Sequence, residues 1–160
     1  MFQPRILGTS FFGKVLMRSL RECFAETVRA RRKHLKLSQE AFADKVDMDR
    51  TSISRIERTA PNVSIRTVFR IAQALQTKPS ALLVGEYAEQ SMKSVPPEVF
   101  GHAVRDARVI RGLSQKAVGD MIGMDRNYVS TIERSEELPT LDTLEKFVGA
   151  LDLDVRAIFG

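Results

Sequence analysis

Apolar residues along this chain recur at helical spacing, not in strand-like alternation, and the pattern they make occurs twice. Val28, Arg32 and Leu35 lie on related faces of a first helix predicted over about 24–35. Ser38 is placed to cap a second helix ending near Val46, because a serine oxygen accepts from the free amides of a first turn. Asp47 and Met48 supply a tight turn. Asp49 then caps a third helix, Arg50 to Arg58, with Ile53, Ile56 and Met48 as its apolar side. A loop through Pro61 and Asn62 leads to Ser64, the cap of a fourth helix carrying Ile65, Val68, Phe69, Ala72 and Leu75. A short fifth helix starts near Pro79 and includes Ala81, Leu82 and Leu83.

The same order returns 76 residues later. LSQEAFADKVDMDRTSISRIER at 37–58 answers to LSQKAVGDMIGMDRNYVSTIER at 113–134, and 24–84 laid over 100–160 without a gap gives 20 identities in 61 positions. In the second copy Ser114, Asp125 and Thr140 are the expected caps and Gly123 the turn. Two copies at a period above about 50 residues indicate a duplicated small domain, not a solenoid. The expected organisation is an arm at 1–23, partly disordered or a short helix, a first domain at 24–84, a linker at 85–99 and a second domain at 100–160. The linker is polar and ends in Pro96-Pro97. A domain of about 60 residues buries only about 60% of its unfolded surface, so each copy is expected to lean on its neighbour or on a partner chain.

Composition narrows the class. The chain has 160 residues, 43% apolar and 28% charged, which suits a globular protein. Its single cysteine, Cys23, allows no intrachain disulfide, so a reducing, cytoplasmic setting is expected. His34 and His102 have no cysteine or histidine partner at ligand spacing; neither a metal nor another cofactor is expected. Gly8, Gly13, Lys14 and Arg18 interrupt the apolar start, which reads neither as a signal peptide nor as a membrane span, and Met17 is a candidate natural start. No Ser/His/Asp or Cys/His set, phosphate loop or catalytic carboxylate pair is recognisable, so an enzyme is not expected. The usual aromatic platforms for single-stranded nucleic acid are lacking as well.

Two short helices joined by a three- or four-residue turn, the second opening with polar residues, make a helix-turn-helix, whose second helix suits the major groove. Each copy resembles the Cro and lambda-repressor type of this motif, the xenobiotic-response-element family. LSQ, a small or apolar run, a turn, a polar quartet and I-E-R carry the resemblance, over about three quarters of the chain. It implies an all-α protein of two tandem five-helix lambda-repressor-like DNA-binding domains. It further implies that Gln39 and Gln115 sit against the DNA backbone and brace the recognition helix; the plainer reading of each is a good helix former at an exposed N-terminus. Arg50, Thr51 and Arg55 in the first copy, and Arg126, Asn127 and Thr131 in the second, fall on the recognition face. Arginine can bond guanine O6 and N7, and asparagine adenine N6 and N7; simple phosphate contact or a solvated face is the alternative for Arg50 and Arg126. Ser52 and Tyr128 stand at phosphate-contact places, Tyr128 equally as a core-edge aromatic. Arg32 with Glu57, and Arg108 with Glu133, match the family's ion pair between helices one and three. The pattern departs at Asp47, where the turn glycine is missing, and at Thr59 and Ser135, where a glycine often follows I-E-R.

Charge separates the copies. Residues 24–84 hold 12 Lys and Arg against 6 Asp and Glu, whereas 100–160 hold 8 against 10. Phosphate neutralisation supplies most non-specific DNA affinity, so the first copy is the expected main binder, with Arg29, Arg31, Arg32, Lys33 and Lys36 as a basic run for backbone contacts or a solvated face, Arg32 being already assigned inward to its ion pair. The second copy has three candidate roles: a weaker half-site reader, a dimerisation module, or a dock for RNA polymerase or another regulatory protein. A flexible linker of about 16 residues spans roughly 20–24 Å and reaches at most about 53–58 Å. Half-sites lie about 34 Å apart, so one chain can bridge two of them, and the unlike helices make such a site asymmetric unless the chain dimerises. The expectation is a sequence-specific double-stranded DNA-binding transcriptional regulator of bacterial, phage or mobile-element type, without a separate effector domain. The competing class is an antitoxin-like or anti-activator protein-interaction module.

Overall fold

The computed structural model describes residues 18–85 and 95–160; residues 1–17 of the expected arm and 86–94 of the expected linker lie outside them. The described residues form ten helices. The first copy holds α1 (Leu20–His34), α2 (Gln39–Lys45), α3 (Arg50–Thr59), α4 (Ile65–Ala74) and α5 (Pro79–Val84). The second holds α6 (Val99–Ile110), α7 (Gln115–Ile122), α8 (Arg126–Glu133), α9 (Leu141–Leu151) and α10 (Val155–Phe159). Among the described residues the protein is all-α, two tandem five-helix units with the same order of helices.

Local chemistry explains the boundaries. The Ser38, Asp49, Ser64, Ser114 and Asp125 side chains each accept a hydrogen bond from the third residue of the helix they cap. Thr140 caps α9 by position only; its hydroxyl donates to Thr143 Oγ1 at 3.4 Å instead of accepting an amide. Helix α1 begins at Leu20, four residues before the predicted start, because Ser19 and Glu22 form a reciprocal capping box: Ser19 N donates to Glu22 Oε2 at 2.9 Å and Glu22 N to Ser19 Oγ at 3.3 Å. The turns repeat even where residues differ. Left-handed backbone occurs at Lys36 and Gly112, Asp47 and Gly123, and Gln76 and Asp152, each pair 76 residues apart. At the helix-turn-helix turn Asp47 takes φ +49° and Gly123 φ +72°, so aspartate adopts the conformation that glycine supplies in the second copy.

One contiguous core runs through both copies. Phe24, Phe42, Ile53, Val68 and Leu82 from the first join Phe100, Val118, Ile132, Phe147 and Phe159 from the second, all essentially without exposure. A fully buried side chain of this size contributes about 1.5–3 kcal/mol, which compensates for the small core each copy has alone. Phe159 packs edge-on against Phe69 of the first copy, ring centroids 5.5 Å apart, and stacks on Phe100 at 6.1 Å.

The junction between the copies has a reciprocal form. Ile65 N donates to Pro139 O at 2.9 Å, and Leu141 N donates to Val63 O at 2.9 Å, across an antiparallel bridge between Ser64 and Thr140. Residues 63, 64 and 65 correspond to 139, 140 and 141, so each copy gives the other the contact it receives. Helices α5 and α10, also equivalent, pack on one another. Such reciprocity marks a local twofold relation within one chain. It is not perfect: Leu20 N donates to Glu145 Oε1 at 3.1 Å and Arg21 pairs with Asp142 at 3.2 Å. The equivalents of Leu20 and Arg21 are Pro96 and Pro97, and Pro96 has no N–H to return the bond.

Candidate nucleic-acid interface

In each copy a short helix, a left-handed turn and a second helix are held together by the same three side chains. Arg32 Nε donates to Glu57 Oε1 at 2.5 Å and its Nη2 to Oε2 at 2.9 Å, a fork that ties α1 to α3. Nη1 closes onto Leu37 O at 2.6 Å, and Gln39 Nε2 donates to Glu57 Oε2 at 3.1 Å. The second copy repeats the set: Arg108 grips both Glu133 oxygens, Arg108 Nη1 reaches Leu113 O at 2.9 Å, and Gln115 Nε2 reaches Glu133 Oε2 at 2.9 Å. The Glu57 and Glu133 side chains are only 3% and 4% exposed. Burial pushes the Glu57 carboxyl up, but hydrogen bonds from Arg32 and Gln39 and the charges of Arg32 and Arg29 outweigh it and leave it below the ordinary range. Burial likewise pushes the Glu133 carboxyl up, and the hydrogen bonds from Arg108 and Gln115 with the charges of Arg108 and Arg105 outweigh it and leave it below the ordinary range. The glutamines thus brace the third helix of each copy through the buried glutamate, which sets the angle at which that helix is presented.

The opening turns of α3 and α8 face outward. Arg50, Thr51 and Arg55 are exposed, as are Arg126 and Asn127. Arg50 and Arg126 follow capping aspartates whose carboxylates are engaged: Asp49 accepts from Ser52 N at 2.7 Å and Ser52 Oγ at 2.7 Å, and Asp125 from Tyr128 N at 2.8 Å. The bonds from the Ser52 hydroxyl and amide hold Asp49 below the usual carboxylate range. Thr131 is half-buried and its hydroxyl donates to Asn127 O at 2.9 Å, so the second copy presents a shorter polar face than Arg55 gives the first. Tyr128 sits at the core edge, half-buried, its phenol raised by burial and paired with the Thr143 side chain.

The basic run of α1 divides between the interior and the surface. Arg31 is buried, not available for backbone contact: Nε donates to Leu75 O at 3.3 Å and Nη2 to Gln76 O at 3.5 Å, closing the C-terminal end of α4. Arg32 also turns inward. Arg29, Lys33 and Lys36 remain exposed. The copies also differ in what they expose at equivalent positions, a difference visible in the aligned repeat. Where the first copy exposes Lys33, His34 and Lys45, the second exposes Val109, Ile110 and Met121, Ile110 at 85%. Arg134, the equivalent of Arg58, is moreover paired with Glu136 at 2.7 Å. Among the described residues no helix is long and apolar enough to cross a membrane.

The arrangement agrees with known proteins. The family model described as helix-turn-helix matches residues 28–82 and again 104–158. The "Immunity repressor protein" of Bacillus phage phi105 is 37% identical over 60 residues, 38% of this chain and 42% of that protein. The "Control protein C.SmaI" of Serratia marcescens is 36% identical over 58 residues, 36% of this chain and 69% of that protein. The match to the immunity repressor thus spans less than half of its length. No solved structure matches.

Proposed function

Because the chain belongs to the Cro/C1-type helix-turn-helix family, we propose that it is a sequence-specific double-stranded DNA-binding transcriptional regulator whose third and eighth helices enter the major groove. The observation that carries this is the exposed polar opening of α3, Arg50 and Thr51 with Arg55 one turn on, fixed from behind by the Arg32–Glu57–Gln39 set. A guanidinium held on a braced helix suits two bonds to guanine, worth about 1–3 kcal/mol of base discrimination. Similarity to a repressor and a control protein supports a regulatory role.

The first copy is the main binder. It carries 12 basic residues against 6 acidic, and Arg29, Lys33 and Lys36 are exposed and can neutralise phosphates. Gel-shift titration of the full chain on duplexes selected from a random pool, at two salt concentrations, tests both points. Arg50→Ala should weaken selected duplexes about 5- to 150-fold and relax preference at one position, while Arg126→Ala costs less. Absence of duplex binding at low salt would overturn the proposal. A protein-docking role for the second copy, to a second chain, RNA polymerase or another regulator, is the competing reading, and the exposed Val109, Ile110 and Met121 favour it.

A further inference from the structure

We infer that this chain is a two-headed reader: it binds as a monomer to one duplex site made of two unlike half-sites at a fixed spacing. The inference rests on the DNA-binding reading above and goes beyond it to the form of the target and the number of chains on it.

Three observations carry it. The first is the reciprocity of the junction, in which 65 bonds 139 while 141 bonds 63, with Ser64 facing Thr140 on the local axis. An isologous contact of this kind ordinarily joins two identical subunits. Here both halves of the contact belong to one chain, so the surface that each copy would offer a second molecule is already filled. The second is the place of the junction. It is built by the loops before α4 and α9 and by α1, α5, α9 and α10, which leaves the polar openings of α3 and α8 exposed. The relation that exchanges 63–65 with 139–141 also exchanges these two helices, each locked to its own copy by the same arginine, glutamate and glutamine. The third is the shared core, in which Phe159 touches Phe69 of one copy and Phe100 of the other. Close-packed interiors deform little, so the spacing of the two recognition helices is set by packing and not by residues 86–94.

Two consequences follow for the target. The half-sites are unlike, because Arg50-Thr51-Ser52 answers to Arg126-Asn127-Tyr128 and Arg55 to Thr131. Asparagine favours adenine where threonine gives no matching pair of bonds. The half-site separation is also rigid, unlike that of two domains on a flexible tether.

Sedimentation of the full chain, free and mixed with duplexes selected from a random pool, followed by hydroxyl-radical footprinting, tests the inference. The free chain should sediment as a monomer, with one chain on each selected duplex and an unsymmetrical footprint over two successive helical turns. Inserting 5 bp between the half-sites turns one of them to the opposite side of the duplex and should weaken binding about 5- to 150-fold, the loss of one good bidentate contact. Arg126→Ala, an exposed change, should erase protection over one half-site only. Two chains on a symmetric site, protection of a single turn, or unchanged affinity after the insertion would each overturn the inference while leaving DNA binding intact. Failure to retain any duplex at low salt would remove the proposed function and the inference with it.

Discussion

Replacing Glu57 with glutamine removes one charge from the most enclosed polar cluster of the first copy and keeps its shape. In the native protein Arg32 gives Glu57 two forked bonds and Gln39 adds a third. The Arg32 side chain is 10% exposed and the Glu57 side chain 3%, so water cannot take over. Breaking a buried pair by neutralising one member typically costs about 3–5 kcal/mol, because the other charge stays desolvated. That is a large part of the roughly 5–15 kcal/mol a domain of this size has. At about 2–4 °C per kcal/mol, the midpoint of thermal unfolding should fall by roughly 6–20 °C. The core is continuous between copies, so the whole chain should lose stability in one transition. Urea and thermal unfolding followed by far-ultraviolet circular dichroism measure this. A double replacement, Arg32→Met with Glu57→Leu, should recover most of the loss, since it removes both charges together. A drop below about 1 kcal/mol would refute the account of the cluster. A split transition in which the second copy unfolds at its original midpoint would refute the shared core.

Three further outcomes are expected. Glu57 and Glu133 have folded-state pKa values below their ordinary ones; their contribution is therefore present above the unfolded value of about 4.3 and is lost as pH falls through the lower folded values. Urea midpoints between pH 7 and pH 3 should show that acid decline, and Glu57→Gln with Glu133→Gln should flatten it. Phe159→Ala should cost about 3–5 kcal/mol, and because Phe159 meets Phe69, amide exchange should quicken in α4 of the first copy as well as in α6; protection changes confined to the second copy would contradict the packing. Gly123→Ala should cost about 1–2 kcal/mol through backbone strain alone, since φ is +72° and an added Cβ meets nothing within 4 Å; calorimetry of the two proteins decides it.

Much of each unit was legible before any coordinates. The caps Ser38, Asp49, Ser114 and Asp125 lie where short-range hydrogen bonding puts them, and such bonds need only neighbours in sequence. The ion pairs Arg32–Glu57 and Arg108–Glu133 span 25 residues and came from resemblance, since periodicity shows which face a residue occupies and not what it meets. Arg31 shows the limit: the two residues that follow it, Arg32 and Lys33, go to an ion pair and to solvent, while Arg31 itself seeks the carbonyls of Leu75 and Gln76. The early start of α1 was written in Ser19 and Glu22, a capping box that the apolar pattern overshadowed.

The sequence by itself therefore determined a duplicated all-α helix-turn-helix unit, its turns, and a sharp difference in charge between the copies. These follow from local propensity and from a repeat that compares the chain with itself. Only the tertiary structure decided that the copies close on each other about a local twofold axis. That junction depends on backbone amides and carbonyls at 63–65 and 139–141 and on one phenylalanine, Phe159, shared by both cores. Backbone groups are the same at every residue, so no side-chain pattern announces which of them will pair between the two copies.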